Sequence, residues 1–346
     1  MSVQTSSIID GVAGDFAARL LGWYDRAARE LPWRIAPGSD AVPAPYRVWL
    51  AEVMLQQTTV AAVVGYFARF TSRWPTVADL AAADDADVMA AWAGLGYYAR
   101  ARNLLACARA VVRDHGGRFP DSEAALRALP GIGDYTAASV AAIAFGRPAV
   151  VVDANIERVI ARHRLIETPL PMAKREIRVA LAPLVPAGRP GDFAQALMDL
   201  GATICTPRAP ACAICPLMAD CHARGRADVE RLPVKPPKKA KPHRHGLAHW
   251  IERDAAIWLV RRPDKGMLGG MRALPGGDWT DARPAESGIT SVDHGFTHFD
   301  LTLTLVRREV PDAAAEGEWW PIADLDAAGL PTLYRKLTDK MLERDA

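Results

Sequence analysis

From Asp10 to about Leu200, apolar residues recur at spacings of three and four, alanine is abundant, and short glycine or proline stops separate the segments. That period belongs to amphipathic helices. It predicts helices over 12–30, 46–56, 59–72, 76–81, 85–92, 98–114, 122–128, 135–144, 153–165, 173–184 and 191–200. Between Leu232 and His245 the pattern lapses into a Pro- and Lys-rich stretch that cannot pack a core, which predicts an extended linker. Beyond it, apolar alternation in 247–252, 255–261 and 297–309 predicts strands, most clearly where Leu301, Leu303 and Leu305 alternate with threonines. A terminal helix is expected over 332–344. The expected fold is therefore mainly α, a helical region at 1–230, then a linker at 231–245 and a small α+β domain at 246–346.

A chain of 346 residues, half of them apolar, exceeds what one core usually organises, in keeping with more than one domain. Asp10 and Asp15 precede any long apolar run, so the N-terminus does not read as a secretory signal. No segment reaches about 18 consecutive apolar residues, and the expectation is a cytoplasmic chain without a membrane span. A net charge of +2 gives little general attraction to nucleic acid. Local clusters such as Arg100, Arg102, Arg109 and Arg113 could supply it, and they equally describe a solvated helix face.

Four cysteines change this picture. Cys205, Cys212, Cys215 and Cys221 form a C-x6-C-x2-C-x5-C run, in which one compact loop offers four thiolates. The spacing favours a [4Fe–4S] cluster. Structural zinc also takes four thiolates, but its commoner signature is two C-x2-C pairs, and only Cys212 and Cys215 form one. Disulfides would need an oxidising compartment, to which nothing points. Cys107, on the apolar face of 98–112, reads as a buried thiol.

Three further places could carry chemistry. Leu129-Pro-Gly-Ile-Gly-Asp134 lies between two helical segments, and Gly131 and Gly133 permit a tight turn with backbone amides facing outward at the next helix. Such a helix start attracts anions, although a glycine turn is often a plain connection. Asp153 stands just before a helical stretch, where it can cap the helix and still face a developing cation. Glu52 interrupts the apolar run Val48–Leu55. A carboxyl among such neighbours should be desolvated, with a raised pKa suited to giving a proton near neutrality. The alternative is a surface glutamate on an amphipathic helix.

Together with Leu31-Pro-Trp-Arg34, Trp49-Leu-Ala-Glu-Val-Met-Leu-Gln-Gln-Thr58 and Gly94-Leu-Gly-Tyr-Tyr-Ala-Arg100, these pieces resemble the endonuclease III-like superfamily of helix–hairpin–helix DNA glycosylases, in particular its adenine-removing branch. The resemblance runs from about residue 15 to 310. It implies a two-lobed helical core, with a six-helix lobe at about 38–152 and a cluster-bearing lobe from about 10–37 and 153–230. The implied activity is hydrolytic release of adenine mispaired with 8-oxoguanine or guanine in double-stranded DNA by a monomeric enzyme. Glu52 becomes the general acid, Asp153 the stabiliser of the sugar cation, and Asn155 an orienting group. Tyr135 stands where strand-cutting relatives carry a Schiff-base lysine, which implies a monofunctional glycosylase. DNA contacts fall to Gln57, Thr58, Tyr97, Gly131, Gly133 and Arg34, with Gln57 and Tyr97 as wedges that help unstack the base. The last domain resembles a Nudix fold, but lacks the helix with Arg-Glu and paired glutamates, so pyrophosphatase activity is not expected. Within it, Phe296, Thr297 and His298 match a loop that reads 8-oxoguanine, Thr297 replacing a serine while keeping its hydroxyl.

Overall fold

Alanine-rich α8 (Asp134–Phe145) can sit in the middle of the helical region because small side chains on every face let neighbouring helices approach. The computed structural model describes residues 2–39, 41–237, 240–263, 266–309 and 316–345, with side chains from Asp15 to Arg344. In chain order the other helices are α1 (Ser2–Ala27), α2 (Pro45–Leu55), α3 (Val60–Arg73), α4 (Val77–Ala82), α5 (Asp85–Trp92), α6 (Ala99–His115), α7 (Glu123–Arg127), α9 (Ala154–His163), α10 (Ala173–Leu181), α11 (Pro190–Thr203) and α12 (Thr332–Asp345). Each predicted helix has a counterpart, and the ends follow local chemistry. Thr59 and Ser122 cap α3 and α7 by accepting from the amides of Ala62 and Ala125. Gly146, at φ 62°, closes α8 in the left-handed conformation. The predicted helix 173–184 instead ends at Leu181 and tightens into a 3-10 turn over Ala182–Leu184, which contains Pro183.

Two compact units emerge, Met1–Ala82 with Asn103–Pro237, and Ala83–Arg102 with Lys238–Ala346. Residues 83–102, read from the sequence as part of the helical region, thus group with the C-terminal segment. In the first unit α8 packs against α2, α7 and α11. Gly191 makes the α11 contact feasible, since a Cβ there would lie 2.7 Å from the carbonyl oxygen of Ala142. The expected linker covers Lys238 and Lys239, which lie outside the described residues.

The second unit carries a sheet of β1 (His243–Arg253), β2 (Ala256–Arg261), β3 (Arg272–Ala273), β4 (Thr290–Gly295), β5 (Asp300–Arg308) and β6 (Gly317–Pro321). The order is β3-β2-β1-β5-β4, with β6 paired to β2, and β1 runs parallel to β5 from His243↔Asp300 to Ile251↔Arg308. Leu301, Leu303 and Leu305 point into a core with Trp250, Leu259, Leu337 and Met341, so the sheet rests on α12. One expectation is corrected here. The strand predicted from 297 begins at Asp300, because the Phe296 amide bonds back to the Phe299 carbonyl and turns the chain. Strands β3, β4 and β6 were not anticipated. Among the described residues no helix is long and apolar enough to cross a membrane.

Candidate active site

Helix α2 enters at Pro45 and buries Tyr46 and every residue from Val48 to Met54. Glu52 is therefore not a surface glutamate; it is 5% exposed. Its carboxylate oxygen Oε2 accepts from the Tyr135 hydroxyl at 2.6 Å. Burial raises the Glu52 carboxyl above its ordinary value of 4.5 and the nearby Asp153 charge adds to this, while Tyr135, Ser139 and Arg34 pull the other way. Tyr135 stays a neutral donor, its phenol pushed well above its usual range by burial and the neighbouring carboxyls.

Asp153 caps α9. One of its oxygens, Oδ1, accepts from the Ile156 amide at 2.7 Å and the other, Oδ2, from the Asn155 side-chain amide at 2.9 Å. Burial raises this carboxyl, and the Ile156 and Asn155 bonds and the Arg158 charge oppose the rise. Asn155 is held in turn. Arg158 Nη2 donates to Asn155 Oδ1 at 2.9 Å and to the Gly201 carbonyl at 2.6 Å, and its Nε to the Cys205 carbonyl at 2.7 Å. Helices α9 and α11 touch backbone to backbone at this point, where a Cβ on Gly201 would stand 2.6 Å from Asn155 Cβ.

The fold brings Glu52, Tyr135 and Asp153 together. Arg34 is not displayed for an open phosphate: its side chain is 7% exposed, and Nη1 lies 2.7 Å from a carboxylate oxygen of fully buried Asp199. Asp199 also holds Arg29, at 2.6 Å. Exposed Gln57 has φ 58°, a left-handed conformation costly for a residue with a side chain. The adjoining Thr58 hydroxyl donates to the Gln56 carbonyl, and the Gln56 side chain donates to Thr136 Oγ1 at 3.1 Å. In the glycine turn, Gly131 has φ 72°, and a Cβ would meet Asn103 at 2.5 Å. Gly133 caps α8 with no side chain over the helix start.

Cys205, Cys212, Cys215 and Cys221 line one cavity with Ile204, Met218, Ala223 and Arg162. Burial pushes the Cys215 thiol up to about 11, with the other three cysteine charges adding to the rise. Deprotonated together, the four would repel one another, and a bound cation would relieve that repulsion. Arg162 already donates to Cys205 Sγ at 3.4 Å and to the Thr206 carbonyl at 2.7 Å. Four soft donors around one cavity fit an iron–sulfur cluster. Cys107 is buried, as expected.

In the second unit, Phe296 stacks on Trp279 with ring centroids 5.4 Å apart, which anchors the β4–β5 turn and leaves Thr297 and His298 exposed. Thr297 Oγ1 lies 3.0 Å from the hydroxyl of Tyr97, itself 51% exposed and held at φ 49°. Arg158, Asp199 and Ser139 were not singled out from the sequence. An arginine on an amphipathic helix, an aspartate in α11 and a serine among alanines carry no local signal of burial.

Residues 50–183 match the HhH-GPD superfamily of base excision DNA repair proteins, and 247–340 match a NUDIX domain. The chain is 38% identical over 314 residues to the human adenine DNA glycosylase, covering 76% of this chain and 58% of that protein. It is 41% identical over 208 residues to the adenine DNA glycosylase of Mycolicibacterium smegmatis, covering 60% of this chain and 68% of that protein. A solved thermostable thymine-DNA glycosylase superposes with a TM-score of 0.54 at 31% identity, covering 63% of this chain and 97% of that one. With these similarities added to the glycine turn, the buried carboxyls and the thiol cavity, the chain belongs to the adenine DNA glycosylase family, its residues 50–183 forming the part that matches the HhH-GPD superfamily.

Proposed function

We propose that the chain hydrolyses the N-glycosidic bond of adenine mispaired with 8-oxoguanine or guanine in duplex DNA, leaving an abasic site. The observation that carries this reading is the meeting of Glu52, raised by burial and bonded to Tyr135, with Asp153, fixed by the Ile156 amide and Asn155. The bond breaks slowly because adenine is a poor leaving group and the sugar must bear positive charge. A carboxyl that keeps its proton near neutrality can give it to adenine N7, so the base departs neutral. The oriented Asp153 carboxylate faces the developing cation, and water completes hydrolysis. This division of labour is the one found in carboxylate pairs of sugar hydrolases. Tyr135 offers no amine for a Schiff base, which supports base removal without strand cutting.

DNA contacts follow from the outlying residues. The open amides at Gly133 suit a phosphate, and the strained, exposed Gln57 and Tyr97 suit insertion beside the displaced base. Exposed Thr297 and His298 suit the edge of 8-oxoguanine. Cys205, Cys212, Cys215 and Cys221 would hold a [4Fe–4S] cluster, which when bound cross-links the loop that Arg158 and Arg162 grip through carbonyls. Iron and sulfide analysis with visible absorption tests this part, and stoichiometric zinc would overturn it.

The decisive experiment is single-turnover excision from duplexes carrying adenine opposite 8-oxoguanine or an oxidised pyrimidine, scored with and without alkali. Adenine release with breaks appearing only after alkali is expected. Pyrimidine release, or breaks without alkali, would move the chain to a different reaction, and normal turnover by Glu52→Gln or Asp153→Asn would overturn the roles given to the carboxyls.

A further inference from the structure

Ser139 stands on α8 four residues after Tyr135 and so occupies the same helix face one turn on. Its side chain is 0% exposed, and its hydroxyl is close enough to act on both the Glu52 carboxyl and the Tyr135 phenol without reaching a well-formed hydrogen bond to either, or to the carbonyl four residues back that buried helical serines commonly adopt. A buried hydroxyl left without a partner is costly and rare. The polar groups beside this one are the Glu52 carboxyl and the Tyr135 phenol. A serine hydroxyl carries one rotatable donor and two acceptor sites, so a turn about Cβ–Oγ re-aims it without moving the backbone.

We propose that Ser139 is a positioning residue for the acid, a hydroxyl that turns to donate to the Glu52 carboxylate as its proton leaves. The inference rests on the reading of Glu52 given above. When Glu52 yields its proton, the carboxyl O–H bond breaks and an N–H bond forms on the base; Ser139 keeps its own proton and only turns it toward the carboxylate. Tyr135 already donates to Oε2 at 2.6 Å. A second donor makes the buried anion less costly, and so makes Glu52 a stronger acid than burial alone would leave it. The charged and titratable groups facing Glu52 are Tyr135 from α8, Asp153 at the start of α9, and Arg34 from the turn before α2. None of them can reorient a proton as freely as a serine rotor.

The test is the pH profile of single-turnover adenine excision by the full chain and by its Ser139→Ala and Ser139→Cys variants. The alkaline limb, where Glu52 loses its proton, should move up by about half to one unit in Ser139→Ala, with a plateau rate lower by roughly threefold to tenfold. Ser139→Cys, which keeps a weak donor, should fall between. An unmoved limb in Ser139→Ala, with or without lower amplitude, would reduce Ser139 to packing and overturn the proposal. If the unaltered protein releases no adenine, the reading of function fails separately. Ser139 is then judged by thermal unfolding: the pH at which Glu52 begins to destabilise the fold should rise in Ser139→Ala, and an unchanged pH would again overturn it.

Discussion

Arg158 donates to Asn155 at 2.9 Å while the same guanidinium holds the carbonyl of Cys205, so one side chain spans from the partner of Asp153 to the first of the four cysteines that line the cavity. Replacing it with alanine leaves the Gly201 and Cys205 carbonyls and Asn155 Oδ1 short of a donor. Arg158→Ala should lower stability by about 2 kcal/mol. Adenine excision should fall by roughly tenfold or more as Asn155 loosens. Thermal unfolding and single-turnover assays read the two effects separately, and an effect on stability alone would detach Arg158 from the chemistry.

Gly201 is the complementary constraint. A methyl group there would overlap Asn155 Cβ at 2.6 Å and crowd its carbonyl oxygen at 3.0 Å, so α9 must shift away from α11. Gly201→Ala should therefore cost about 1–3 kcal/mol, as overpacking commonly does, and slow excision more than it weakens DNA binding. Comparing duplex affinity with excision rate checks this.

Glu52 links stability to pH with a definite sign. Burial raises its carboxyl in the folded protein above the 4.5 of the unfolded chain, so the folded state holds a proton that the unfolded state releases. Its contribution is fully present below 4.5 and is lost as pH rises through the folded value. Glu52→Gln removes that loss. The melting temperature of Glu52→Gln relative to the unaltered protein should climb from acid to neutral pH, even as excision disappears. A difference independent of pH would show that Glu52 ionises freely.

Tyr97 tests the wedge. Its exposed ring sits on a left-handed backbone, so Tyr97→Gly relieves strain while deleting the ring. The variant should keep or gain thermal stability yet lose about tenfold in excision of adenine opposite 8-oxoguanine. Loss of stability with unchanged excision would return Tyr97 to a packing role.

Much of this was legible in the chain because helices announce themselves through a repeated period and because Glu52 broke an apolar run. Thr290–Gly295 gave no such signal: the sequence is polar, and it becomes a strand only by pairing with β5. Gly317–Pro321 likewise depends on β2. Thr297 and His298 looked like the start of a strand because the alternation of 301–305 extends back to them, and the turn there depends on Phe296 stacking on a distant Trp279. Arg34 carries the same lesson for the site. The resemblance implied a DNA contact there, and the structure pairs the guanidinium with a buried Asp199, 165 residues away.

The contact between Tyr97 and Thr297 has a further meaning once DNA is considered. Their hydroxyls already satisfy each other across 200 residues of sequence. Under the proposed function, a lesion does not meet idle recognition groups; it must exchange with an existing bond. Such an exchange subtracts the same amount from every base that reaches the site. Guanine, with fewer groups to offer in return, is then held less firmly than 8-oxoguanine, and the existing bond offsets a larger share of what it offers.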